Sequence, residues 1–359
     1  MTVMWSLWLL LFVCAAHAIR DDGESLPSIS IAVTACGKKG RFHAPSFLQS
    51  LIAHEPQTTR RRLSLYVFGD DEARRALVDH SGCLSSLQER GVFKSVVFRN
   101  ISDFSAKTAL LSEWWKEDKQ RYDCAAFKLD MVNMVPPDVN RIIYMDIDTV
   151  AFGDLAQLFE RFSVVPGKTM HAALESYATA RGWYADPKHN KRGNRKRHFM
   201  PPTGLNSGVL LMDLALMRAM QPPLDARQFL AVNDEPISMG DQDVINSWAW
   251  HHQSDVAVLP CKWNRRTDSD CSSLEDTAAA APALPGSAAP VFELTNSSSG
   301  SGGGVLHASR RVFMRHVVFP RHYELHRRLT ADFFASNGRA CNLSALIASA
   351  KRGNSVSIL

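Results

Sequence analysis

Short apolar runs alternate with helix-spaced segments from Ser30 to Met145, and this alternation constrains the fold more than any other feature of the chain. Ser30–Thr34 (SIAVT), Leu63–Phe68 (LSLYVF), Ser95–Phe98 and Arg141–Met145 (RIIYM) read as strands. Phe47, Leu48, Leu51 and Ile52 fall at helical spacing. Asp71–Val78, Ala106–Lys116 and Cys124–Val135 read as helices, the last stopped by Pro136-Pro137. Strand and helix in turn at this spacing predict an α/β fold with a doubly wound, mostly parallel sheet, in which ligands bind beyond the carboxyl ends of the strands. The second half is more mixed. Gly208–Met212, Val256–Leu259 and Val305-Leu306 read as strands, and Asp241–Trp250 reads as a helix. The expected organisation is one domain over 29–335, a disordered Ala-, Ser- and Gly-rich insertion over 272–304, and a tail over 336–359.

With 45% apolar and 21% charged residues among 359, the chain is outside the disordered class. A net charge of +5 permits an anionic ligand and does not by itself argue for nucleic acid, so no nucleic-acid partner is expected. Val3–Ala16 is almost continuously apolar and is followed by Ala16-His17-Ala18, which is small-x-small. Residues 1–18 therefore read as a signal peptide, with an uncleaved anchor as the alternative; a membrane partner is expected only in that second case. Either reading sends the body into the secretory lumen, in the Golgi or endoplasmic reticulum or onward to secretion. Of seven Cys, Cys14 lies in the leader, and Cys36, Cys83, Cys124, Cys261, Cys271 and Cys341 remain, an even set suited to an oxidising compartment. Cys261 and Cys271 are close enough in sequence to close a loop, and the other pairings stay open. Asn100, Asn296 and Asn342 stand in glycosylation sequons. The segment 187–198 is strongly basic (KHNKRGNRKRH), either as a solvated loop or as a contact for an anionic acceptor.

Chemistry concentrates at Asp146-Ile147-Asp148, where an apolar strand ends. Two carboxylates at a bending strand end can reach one cation, and hard oxygen ligands suit Mg²⁺ or Mn²⁺, which can also bridge a diphosphate. The competing reading is that both Asp cap the next turn. His307 also ends a short strand, and an imidazole added to two carboxylates moves the preference toward Mn²⁺. Gly204-Leu-Asn206-Ser207-Gly208 places small residues before a strand, which allows close approach to a sugar or phosphate; an ordinary turn is the alternative. Asp241-Gln242-Asp243 opens a helix, where capping competes with a catalytic role.

These segments, in order, resemble the family 8 retaining glycosyltransferases: SIAVTACG, FKLDMVN, YMDIDTV, GLNSGVLLMD, DQDVIN and a late LH. Gly182-Trp183-Tyr184 and Pro260-Cys261-Lys262-Trp263-Asn264, followed by Asp268 and Cys271, are similar to the glucoside xylosyltransferases within that family. The resemblance implies a GT-A fold, a UDP-sugar as donor and Mn²⁺ (or Mg²⁺) as cofactor. It implies Asp146, Asp148 and His307 as metal ligands. Val33, Thr34 and Ala35 match the strand end that cradles uracil, and Lys128, Ile147, Asn206, Ser207 and Arg310 fall in the donor-binding positions. Asp241 and Gln242 match the pair beside the anomeric carbon. The run after His307 departs from the family: Arg315 or His316 falls about where a diphosphate-contacting Lys is usual.

The implied function is transfer of a sugar, xylose from UDP-xylose first among the candidates, to a sugar hydroxyl with retention. O-linked glucose on a secreted or membrane glycoprotein is the implied acceptor. The alternatives are UDP-glucose or UDP-galactose as donor, or a catalytically silent protein that binds a UDP-sugar or a glycan.

Overall fold

Runs of Ile, Val and Leu that bury on both faces make the strands of the central sheet. In chain order the strands are β1 (Ile29–Ala35), β2 (Leu63–Gly69), β3 (Ser95–Asn100), β4 (Arg141–Asp146), β5 (Thr149–Ala151), β6 (Met170–Leu174), β7 (Lys191–Arg192), β8 (Arg195–Lys196), β9 (Leu205–Asp213), β10 (Val256–Leu259), β11 (Arg265–Arg266), β12 (Val291–Phe292) and β13 (Val305–His307). This computed structural model describes residues 27–60, 62–74, 87–89, 91–104, 124–175, 183–184, 186, 191–192, 195–231, 237, 239–266, 291–292, 304–307, 324 and 327–332. The leader, the helix expected over Ala106–Lys116, Arg310 and the tail over 336–359 lie outside the described residues.

Eight strands form the main sheet in the order β12-β10-β6-β9-β4-β1-β2-β3. All run parallel except β9, which is antiparallel to both β4 and β6. Every residue of β9 is buried, from Leu205 to Asp213. Because β9 runs the other way, its first residues lie at the edge where β1, β4 and β6 end. Met145 of β4 faces Val209 of β9, so Asp146 emerges beside Gly208 and Ser207. A second sheet, β11-β13-β5, has three strands. In it His307 is registered against Thr149 on one side and Arg266 on the other. A residue from late in the chain is thereby set directly after the Asp146–Asp148 turn.

Helix α1 (Gly37–His54) packs Phe47, Leu48, Leu51 and Ile52 into the core, as their spacing predicts. The segment 124–135 departs from the single helix expected. Phe127–Asp130 winds as a 3₁₀ turn between residues 124–126 and the short helix Met131–Met134. All four residues of this turn are buried, Lys128 among them. Cys36, at the end of β1, is disulfide-bonded to Cys124, and this ties the segment to the sheet edge. Cys261 is disulfide-bonded as well. Within the insertion expected over 272–304, Val291–Phe292 pairs parallel with β10 and Gly304 is buried. The basic segment 187–198 contains a hairpin, with Lys191 facing Lys196 and Arg192 facing Arg195. Among the described residues no helix is long and apolar enough to cross a membrane.

At the end of α1, Glu55 is buried and accepts the Leu155 N–H at 2.8 Å. Burial pushes its carboxyl up to about 8, against the pull of that N–H, with Asp154 adding to the rise and Arg60 opposing it. An unfolded Glu titrates near 4.3. Between these values the folded protein keeps a proton that the unfolded chain has released, so stability falls as pH rises through that window. Glu55→Gln removes this slope. The variant should melt like the parent at about pH 5 and several degrees higher at about pH 9. Parallel melting curves for the two proteins across that range would contradict this assignment.

Candidate active site

The residues that end β4 converge with those that begin β9 and with His307. Asp146, Asp148 and His307 offer ligand atoms that all lie within 4.8 Å of one another. His307 Nε2 is 3.7 Å from Asp146 Oδ2 and 3.5 Å from Asp148 Oδ1. A small dication holds its oxygen ligands at about 2.0–2.1 Å, so two atoms on one ion lie at most about 4.2 Å apart, a span that both His307 contacts already meet. The other ring nitrogen, Nδ1, lies 3.2 Å from Asn206 Oδ1. Donation of Nδ1–H to that oxygen leaves the Nε2 lone pair facing the carboxylates, which is the tautomer a metal needs. Gly208 makes the room: a Cβ at this position would overlap the His307 imidazole.

Lys128 lies at the centre, 1% exposed. Its ammonium is 2.9 Å from Asp146 Oδ1 and 2.8 Å from Asp241 Oδ2, and it donates to Ser207 O at 3.1 Å. An ammonium has three N–H groups, and Ser207 Oγ at 3.4 Å adds a fourth acceptor around them. In this arrangement Lys128 organises the two carboxylates. Burial alone would lower its pKa, but Asp146 and Asp241 outweigh that and hold it well above the usual lysine value. Asp241 itself is shifted upward by burial, with Lys128 opposing and Asp146 adding to the rise.

Helix α2 (Asp241–His251) supplies Asp241 and Gln242 from its buried first turn. Asp241 also accepts from Ser207 Oγ at 2.8 Å. Helix-start duty falls instead to Asp243, which accepts from Met239 N–H and from Tyr184 OH, each at 2.7 Å. Gln242 is held at both ends of its amide: Oε1 accepts Ser207 N–H at 3.2 Å, and Nε2 donates to Glu175 Oε2 at 3.0 Å. Asn246 serves the start of β9, where its side chain accepts Leu205 N–H and donates to Leu205 O.

Of the residues expected beside uracil, Thr34 is buried and shares a hydrogen bond with Tyr144 OH at 2.8 Å, and Tyr144 donates in turn to Asp146 Oδ1 at 3.0 Å. Val33 and Ala35 are buried in the core, as is Ile147 between the two Asp residues. The side chains of Val33 and Ala35 therefore serve packing, and what β1 brings to the site edge is its terminal backbone and the Thr34 hydroxyl.

Sequence reasoning missed Glu175, Arg266 and Tyr144. Glu175 follows β6 directly, so the apolar run HAAL ending in an acid was the available signal, the same one that marked Asp146. Glu175 is 4% exposed and is ion-paired to Arg266. Burial raises its pKa, with Arg266 and the donors Asn206 and Gln242 opposing. Together Asp146, Asp148, Asp241 and Glu175 bring four acids against two bases, Lys128 and Arg266. Among the described residues that excess of acids, with an imidazole aimed into it, fits a dication. A cavity of about 1070 Å³ lined by Ser30, Ser64, Arg141 and Asp213 lies at the opposite edge of the sheet and is separate from this site.

Lys128→Met leaves Asp146 and Asp241 facing each other without a cation. It should cost about 3–5 kcal/mol of stability by urea unfolding at neutral pH, the range for breaking a buried pair. A cost near zero would mean that the ammonium does not organise this centre.

A model of the family "Glycosyl transferase family 8" matches residues 41–281. Glucoside xylosyltransferase 1 of Rattus norvegicus is 27% identical over 267 residues, covering 68% of this chain and 55% of the relative. Xyloside xylosyltransferase 1 of Homo sapiens is 30% identical over 148 residues, covering 38% of this chain and 37% of the relative. The chain thus spans between 48% and 63% of the length of the glucoside xylosyltransferases it matches. Among solved structures, mouse xyloside xylosyltransferase 1 in its apo form aligns with a TM-score of 0.50 at 21% identity, covering 67% of this chain and 87% of that one. The galactosyltransferase LgtC, solved with donor and acceptor sugar analogues, aligns with a TM-score of 0.54 at 14% identity, covering 84% and 95%. These two structures share the GT-A fold with this chain.

Proposed function

The chain belongs to glycosyl transferase family 8, and from that premise we propose that it transfers xylose from UDP-xylose to a sugar hydroxyl, with retention at the anomeric carbon. The observation that carries this reading is the convergence of Asp146, Asp148 and His307, with the His307 tautomer set by Asn206. Xylose is favoured because relatives that this chain matches carry the names glucoside and xyloside xylosyltransferase. The acceptor class that follows from those names is a glucoside or a xyloside, and we take it to be carried on a glycoprotein.

Asp146, Asp148 and His307 would hold Mn²⁺ or Mg²⁺. When bound, the ion stabilises as a Lewis acid the negative charge that grows on the departing nucleotide diphosphate. The protein's own part is positioning. Gln242 is anchored at both ends of its amide, and an amide oxygen that already accepts a hydrogen bond is a poor nucleophile. This supports attack from the same face over a double displacement. In that scheme the acceptor hydroxyl forms the new bond to C1 as the bond from C1 to the phosphate oxygen breaks. The hydroxyl proton passes to that departing oxygen. Asp241 and Gln242, fixed by Lys128, Ser207 and Glu175, line the place where the ring gains positive charge. We place the reaction in the secretory lumen, a reading supported by the engaged Cys36, Cys124 and Cys261.

The test is UDP release by the full chain from UDP-xylose, UDP-glucose and UDP-galactose, with a glucosylated or xylosylated peptide as acceptor. UDP-xylose should be preferred. EDTA or Asp148→Asn should lower turnover at least about 100-fold. Turnover indifferent to both would overturn the reading, and preference for a hexose donor would replace xylose with that sugar.

A further inference from the structure

Glu175 enters the steps above only by holding Gln242, and Arg266 not at all, yet the buried pair they form is wired to the candidate metal site. Arg266 Nη1 donates to one carboxylate oxygen of Glu175, Oε1, and to the Glu175 backbone carbonyl at 2.9 Å. The other oxygen, Oε2, accepts from Asn206 Nδ2 at 2.8 Å and from Gln242 Nε2 at 3.0 Å. With its nitrogen turned to Glu175, the Asn206 amide points its oxygen the opposite way. That oxygen accepts the Gly208 N–H at 2.9 Å, a group that can only donate, and Asn264 Nδ2 at 2.8 Å. The same oxygen lies 3.2 Å from His307 Nδ1. The backbone supports the wiring, since Arg266 and His307 are register partners in the second sheet.

We infer that the Arg266–Glu175 pair is the positioning element of this site: Glu175 fixes the orientation of the Asn206 amide, and Asn206 holds His307 as the tautomer whose Nε2 is open to a metal. Arg266 serves by occupying Oε1 and balancing the charge, so that Oε2 is left as an acceptor for the two amides. Neither residue is one of the three candidate ligands, and neither is required to touch the donor. The inference rests on reading Asp146, Asp148 and His307 as metal ligands, and it adds the part of the chain that makes the third ligand competent. The physical warrant is that a ring nitrogen donating to a fixed acceptor determines which nitrogen keeps its lone pair. Loss of such supporting partners typically lowers metal affinity about 10–100-fold.

Two double variants separate the acceptor from the charge pair. Glu175→Gln with Arg266→Met removes both charges and keeps an amide oxygen that can face Asn206 and Gln242. Glu175→Leu with Arg266→Met removes both charges and the acceptor. Mn²⁺ titration of each full-length protein by calorimetry gives the affinity. Nitrogen-15 NMR of imidazole-labelled protein without metal gives the His307 tautomer, and melting curves confirm the fold. The first variant should bind Mn²⁺ like the parent and keep Nδ1–H. The second should bind about 10–100-fold more weakly and show a mixed tautomer. Equal affinity and the same tautomer in both variants overturns the inference, even where UDP-xylose turnover by the parent is intact. A parent that turns over no donor, with the two variants still split in tautomer and Mn²⁺ affinity, overturns the transferase reading and leaves the positioning role standing.

Discussion

One reversed strand makes the site. The seven other strands of the main sheet, three on one side of β9 and four on the other, would leave only their own carboxyl ends at the ligand edge. By running antiparallel between β4 and β6, β9 brings its amino end, Asn206 to Gly208, to the same edge. Ser207 then offers its carbonyl to Lys128 and its hydroxyl to Asp241, Asn206 reaches Glu175 and His307, and Gly208 leaves space for the imidazole. With β9 parallel, these residues would lie at the far edge, about seven residues of strand away at roughly 3.3 Å each.

Charge is managed in two compartments around that strand. On one side Lys128 draws Asp146 and Asp241 together from elements far apart in sequence. On the other Arg266 balances Glu175. Buried ion pairs of this kind are weak sources of net stability, because desolvation offsets most of the attraction. Their value here is geometric: each fixes the direction in which an oxygen or an amide faces. The same economy explains why Asp146 is shared, with Oδ1 turned to Lys128 and Tyr144 and Oδ2 turned to His307.

Much of this was legible in the sequence, for identifiable reasons. β1, β2 and β4 are largely apolar runs buried almost throughout, and β3 at the sheet edge keeps the apolar Val96–Phe98, so each is legible to within two residues at either end. Asp146, Asp148 and His307 stood out because each ends such a run. Strand direction was not legible, since Leu205–Asp213 buries on both faces and carries no alternation to orient it. The 3₁₀ turn at Phe127–Asp130 was hidden because its apolar spacing suits a helix, and only the pull of two distant carboxylates on Lys128 shows why this segment lies where it does. Glu175 and Arg266 were obscure for a related reason. A buried pair is made by pairing across the fold, and neither residue alone differs from an exposed one. The pairing of Cys36 with Cys124 is likewise a property of the tertiary structure, joining positions 88 residues apart.

The most direct measurement is anomalous diffraction at the manganese edge from crystals grown with Mn²⁺ and UDP. The account predicts one strong peak bonded to Asp146, Asp148 and His307 Nε2, with Asn206 still accepting from Nδ1. A peak that excludes His307, or an ion bound at another edge of the sheet, would contradict it.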